Sequence, residues 1–155
     1  MKRYAIVLSL MGAVCVAPAH AGTAMASARR QIQPILDQMA IAANAHDTDR
    51  FMAAYLRRPT LVFVINGEVI HGWDALHEQQ LKWWRNGKSD AVYTQTGPTE
   101  FEQIGSGMVV TTRTLDSRRT LPDGRKSTGS FAVTDIWQKL PQGWRIVYSH
   151  ESWVR

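Results

Sequence analysis

The chain has almost no cysteine: Cys15 is the one thiol among 155 residues. A single cysteine cannot close a disulfide within the chain, so a small cross-linked scaffold is excluded. A bilayer-spanning run is missing as well. The leading apolar stretch, Ala5 to Ala17, ends at Pro18, short of the ~20 residues a helix needs to cross. Charge is neither abundant nor one-sided. Charged residues make up 20% of the chain and the formal net charge is +5, which with 45% apolar residues excludes a disordered polyelectrolyte. Arg29-Arg30, Arg57-Arg58, Arg118-Arg119 and Arg125-Lys126 are scattered pairs, not the clustered footprint of a nucleic-acid binder.

What is present begins with a leader. Lys2 and Arg3 precede the apolar run, and Ala19-His20-Ala21 fits a small-x-small cleavage site. Residues 1–21 therefore read as a signal peptide cut after Ala21, and the protein is expected to be periplasmic or secreted. A membrane anchor or lipoprotein fits less well, since Val14 directly precedes Cys15. The remaining domain, 22–155, has 134 residues, no cysteine and 16 basic against 13 acidic residues. That length can bury one core of its own. It also leaves no thiol for a nucleophile or a metal site.

Helical patterns fill the first half. Ile32, Ile35, Leu36, Met39 and Ala43 form one stripe of a helix over Ser27–Ala45, with Pro34 either in its first turn or at a kink. Asp47 is a good N-cap for a second helix, Thr48–Tyr55. Thr60–Ile65 reads as a strand buried on both faces. Asn66-Gly67 is a strong hairpin signal leading to Glu68–His71. Trp73, Leu76, Gln80 and Trp83 recur at helical spacing in a third helix, stopped by Asn86-Gly87. Ala91–Ile104, interrupted at Gly97-Pro98, then opens a meander through Met108–Arg119, Ser127–Leu140 and Trp144–Val154. Helices followed by a meander imply an α+β fold.

The order helix, helix, hairpin, helix, long meander resembles the nuclear transport factor 2-like superfold. Asn44-Ala45-His46-Asp47, Gly67-Glu68-Val69-Ile70-His71-Gly72, Ile136-Trp137-Gln138-Lys139 and Gly143-Trp144-Arg145-Ile146-Val147 with His150-Glu151-Ser152 look like its SnoaL-like, ketosteroid-isomerase-like branch, and most like uncharacterised bacterial members. The resemblance implies a cystatin-like cone: three N-terminal helices in a strongly curved antiparallel sheet, with a pocket at the open end and frequent dimerisation through the outer face. Function does not follow from the fold, which hosts isomerases, dehydratases, cyclases and non-catalytic binders.

A ketosteroid-isomerase-like enzyme needs a carboxylate base in an apolar pocket. In that type of enzyme the base sits on the first strand, here Leu61-Val62-Phe63-Val64-Ile65, where no acid occurs. The remaining candidates are polar residues on pocket-forming elements. By two-residue alternation, His150 and Ser152 share a face with Trp144, Ile146 and Tyr148, and Asp135 shares one with Phe131, Val133 and Trp137. His150 or His71 is expected as the acid/base if chemistry occurs. Tyr55, Phe63, Trp84, Arg113, Asp135, Trp137 and Ser152 are the expected ligand-binding residues. Each has a structural alternative: His150 can bond across strands, His71 can cap the third helix, Arg113 and Asp135 can pair with each other, and the tryptophans can pack the core. His46 and His77 are expected to be exposed. No metal site and no cofactor are expected, because no phosphate-cradling loop, nucleophile elbow or zinc-type histidine spacing occurs.

The expected function is thus an exported binder of a small apolar or aromatic ligand. It is either a cofactor-free isomerase-, dehydratase- or cyclase-like enzyme or, alternatively, a non-catalytic dimeric binding or assembly module. A homodimer is expected, with no nucleic-acid partner and no membrane association once the leader is removed.

Overall fold

The computed structural model describes residues 19–121 and 123–154. Nearly all of the leader lies outside them.

The first helix, α1 (Ala19–Ala45), starts earlier than its apolar stripe suggested and runs through Pro34 without ending. Pro34 is exposed, so water can serve the carbonyl its missing N–H leaves without a donor. Ile32, Leu36 and Met39 form the buried face. Asp47 caps α2 (Thr48–Met52), accepting from the Arg50 N–H at 3.0 Å. This helix is shorter than expected because the chain at Ala54–Leu56 turns to the sheet: the Ile146 N–H donates to Ala54 O and the Leu56 N–H to Ile146 O. Tyr55 therefore stands past the helix, bridged to Ile146.

Strands β1 (Val62–Ile65) and β2 (Glu68–His71) form the expected hairpin, with Asn66 and Gly67 both at positive φ. Phe63 is fully buried, whereas its strand neighbours are half-buried, so only one face of β1 meets the core. Then α3 (Trp73–Trp83) buries Leu76 and Gln80. The interrupted segment becomes two short strands, β3 (Val92–Gln95) and β4 (Glu100–Gly105), split at Gly97-Pro98 and both paired with β5 (Met108–Thr120). The strands β6 (Lys126–Leu140) and β7 (Gly143–Trp153) complete the meander.

The sheet order is β2-β1-β7-β6-β5-β3, with β4 also on β5. All pairs are antiparallel except β1 with β7, so the sheet is mixed, where an antiparallel one was expected. The sheet curves round the helices without closing. At its β3 edge, the Asn44 side chain of α1 both accepts from the Tyr93 N–H (2.8 Å) and donates to Tyr93 O (3.0 Å). His46 Nε2 lies 2.8 Å from Ala91 O beside it, so His46 is half-buried where exposure was expected. His77 is half-buried too, stacked on Trp73 and 2.7 Å from Asp49 Oδ1.

The strand β7 contains a bulge. Ile136 pairs with Tyr148 and Trp137 with Ile146, leaving Val147 without an opposite number. An extra residue in one strand reverses the side-chain alternation beyond it. Trp144 and Ile146 point into the core, but beyond the bulge the inward residues are Ser149, Glu151 and Trp153.

Candidate functional site

Three strands present their inward residues in rows. Val109, Trp137 and Ile146 form the floor, fully buried, with the Trp137 indole donating to Thr111 Oγ1 at 2.9 Å. The next row is Thr111, Asp135 and Ser149, and above it lies Arg113, Val133 and Glu151. Leu115, Phe131 and Trp153 follow. From the Arg113 row outward the strands wall a cavity of about 460 Å³, roofed by α1, α3 and the chain after α2.

The cavity is aromatic on several sides. Trp83 also packs on Phe63, and Trp84 lies edge-on to Phe51 while its indole donates to the Tyr93 hydroxyl at 3.1 Å. Trp153 stacks flat on Phe131, ring centroids 4.2 Å apart. Gly129 makes this possible: a Cβ there would stand 3.3 Å from the Trp153 ring.

Against this apolar lining stand few ionisable groups. Arg113 Nη2 donates to Asp135 Oδ2 at 2.9 Å, and the Ser149 hydroxyl donates to Asp135 Oδ1 at 2.7 Å. The pair is buried and Asp135 has no exposed surface. Arg113 Nε is enclosed with no hydrogen-bond partner among the described residues. Glu151, one row up, lines the cavity half-buried. Burial pushes its carboxyl up to about 7 and the Asp135 charge adds to the rise; a hydrogen bond with the Trp153 side chain and the Arg113 charge oppose it. Tyr55 is buried at the inner end. Its hydroxyl is held well above the ordinary range by burial first, then by the charges of Asp135 and Glu151, so it is a neutral donor at physiological pH. Burial raises the Tyr93 hydroxyl likewise.

Of the residues singled out from sequence, Tyr55, Trp84 and Arg113 line the cavity. Phe63, Asp135 and Trp137 lie behind its wall: Phe63 and Trp137 are core, and Asp135 is the countercharge of Arg113. His150 and Ser152 are exposed, because the Val147 bulge turns them to the outer face. His71 is exposed at the end of the edge strand β2. Neither histidine reaches the cavity. The group that simple alternation missed is Glu151, and no glycine or asparagine at 146–148 announces the bulge that brings it in.

Among the described residues no cluster of three or more histidine, cysteine, aspartate or glutamate side chains could hold a metal.

The fold has many solved counterparts. An NTF-2 like protein of unknown function from Shewanella oneidensis is 24% identical, with a TM-score of 0.66 over 79% of this chain and 97% of its own. A nuclear transport factor 2-like superfamily protein from Salmonella enterica serovar Typhimurium is 18% identical, with a TM-score of 0.72 over 82% of this chain and 91% of its own. A protein of the NTF2-like family from Streptomyces avermitilis, provisionally described as a dehydratase, is 14% identical, with a TM-score of 0.70 over 84% of this chain and 98% of its own. At such identities the likeness is one of fold. No curated protein sequence matches significantly. The family model of the SnoaL-like domain matches residues 32–155. With the helices, the curved mixed sheet and the cavity they enclose, that match makes the chain a member of the SnoaL-like family, with the fold of the nuclear transport factor 2-like proteins.

Proposed function

We propose that the cavity binds a small, largely apolar or aromatic ligand bearing a carbonyl, and that Glu151 moves a proton on it. The observation that carries this reading is a single carboxyl among the described lining residues, raised to about 7 by burial, in a largely apolar cavity rich in aromatic rings. As carboxylate, Glu151 takes a proton from the carbon beside the carbonyl. The bond electrons pass to the carbonyl oxygen as an enolate, and the neutral hydroxyl of Tyr55, a lining residue, donates a hydrogen bond to that oxygen. Return of the proton to another carbon gives isomerisation; loss of a neighbouring hydroxyl as water gives dehydration. Neither step moves electrons to or from an external carrier. The description of the Streptomyces avermitilis relative fits this class.

The test is deuterium exchange on a small enolisable aromatic ketone such as 2-tetralone in heavy water. Exchange should rise through about pH 7, as Glu151 ionises, and fall by roughly 10²-fold or more in E151Q, the usual loss for a general base. Equal exchange by E151Q would overturn the assignment.

The second reading, a non-catalytic dimeric module, is favoured by the outer face of the sheet, where Val62, Val64, Ile136, Val147 and Tyr148 are only half-buried. We propose a homodimer through that face, tested by light scattering of the purified protein: a monomer at micromolar concentration would refute it. Export remains part of the proposal on the strength of the leader. N-terminal sequencing of periplasmic material should begin at Gly22.

A further inference from the structure

The cavity is electrically lopsided along its length. Five of its lining residues are exposed and so stand at its opening: Ala40, Asn44, Asn66, Gln95 and Arg119. Arg119 alone among them is charged. It lies on the inward side of β5, six residues beyond Arg113, which is about 20 Å of strand. The two arginines are not equivalent. Arg113 is spent on Asp135, whereas Arg119 takes part in no ion pair among the described residues. The acids close to the opening are engaged elsewhere: Asp90 takes the Arg85 guanidinium and the Thr120 N–H, and Asp123 takes Arg125. Lys88, just before the lining residue Ser89, adds a second exposed cation. Glu151, the one acid among the described lining residues, stands in the Arg113 row, three rows further in than Arg119.

We infer that the natural ligand is an amphiphilic anion that enters with its apolar or aromatic body among Trp83, Trp84, Phe131 and Trp153 and leaves a carboxylate-like group at the opening against Arg119. This rests on the cavity reading above and names the substrate class for it. An anionic tail at that place is attracted by an unpaired cation whose field the low-dielectric walls focus. The Arg119 charge already reaches into the cavity, where it favours the ionised Tyr93 hydroxyl. A tail at the opening also keeps the ligand charge away from Glu151, so the body alone meets the proton-transfer group.

Three probes of one shape test this by tryptophan fluorescence titration of the purified protein: 6-phenylhexanoate, its methyl ester and 6-phenylhexylammonium. The anion should bind about three- to fivefold more tightly than the ester at low salt, the range of one exposed charge pair. The advantage should vanish in R119Q and in ~1 M salt, where screening acts within ~3 Å. R119Q alters an exposed side chain, so a folded variant is expected. Three results would overturn the inference: equal binding of anion and ester, an advantage that survives R119Q, or tightest binding of the ammonium, which would make Glu151 the counter-ion. Failure of all three probes to bind would overturn the cavity reading as well, whereas unchanged deuterium exchange in E151Q would remove the proton-transfer role and leave the anion preference standing.

Discussion

Arg113 Nη2 lies 2.9 Å from Asp135 Oδ2 inside the protein, one row below Glu151, whose carboxyl is pushed up chiefly by burial. The guanidinium is committed to a carboxylate with no exposed surface, so its charge offsets only part of what burial adds to the Glu151 carboxyl. Its charged form has to be carried by a half-buried site, and its proton is correspondingly easy to keep.

That coupling gives a stability prediction with a definite sign. The Glu151 pKa is raised from 4.5 to about 7 on folding. Between these values the folded state holds more protons than the unfolded one, so stability falls as pH rises through the window. The loss should be about 2–3 kcal/mol by pH 8. Urea unfolding at pH 5 and pH 8 should show it in the wild type and much less of it in E151Q. Equal pH slopes in the two would contradict the assigned environment.

Breaking the buried pair should cost more than removing it. Asp135→Asn or Arg113→Met alone should destabilise by about 3–5 kcal/mol, since each leaves one charge enclosed and unpaired. The double substitution should recover a large part of that loss. Chemical denaturation of the four proteins gives the coupling energy, and simple additivity would show that the pair does not act as a unit.

The bulge predicts which β7 side chains are accessible. The domain from Gly22 onward has no native cysteine, so introduced thiols report cleanly. H150C and S152C should react quickly with a bulky maleimide, and E151C slowly, with further protection by a bound cavity ligand. Fast reaction at 151 with slow reaction at 150 and 152 would mean that the strand keeps its alternation through Val147.

Gly129 predicts a steric effect. Gly129→Val places side-chain atoms where Trp153 lies, so the indole should leave its stack on Phe131. A shifted tryptophan emission and weaker ligand binding are expected, at a stability cost of about 1 kcal/mol. An unaltered spectrum and affinity would show that the ring yields without consequence.

Most of the architecture was legible in the sequence because it follows from local rules: the Asp47 cap, the Asn66-Gly67 turn, the Gly97-Pro98 break and the strand lengths all appear where those residues dictate. Elements set by tertiary contacts were less legible. The second helix stops at Met52 because Ala54 and Leu56 exchange hydrogen bonds with Ile146, far away in sequence. The site suffered most. Tyr55, Trp84 and Arg113 were within reach of pattern reasoning, but Ile146-Val147-Tyr148 is ordinary strand sequence, and nothing in it marks the residue that shifts the alternation. One uncounted residue exchanges His150 for Glu151 at the cavity wall, and with it an imidazole for a carboxylic acid.

The grip of Asn44 on both backbone groups of Tyr93 has a consequence for the protein as a solute. The strand β3 ends the sheet, and an unpaired strand edge is a template onto which another chain can add. The Asn44 amide occupies the N–H and C=O of Tyr93 as a partner strand would, and His46 occupies the carbonyl of Ala91 next to it. A helix side chain thus closes the row where self-association into extended sheets would start. Replacing Asn44 by alanine would reopen it, and the defect would show first as aggregation on concentration, before any loss of fold.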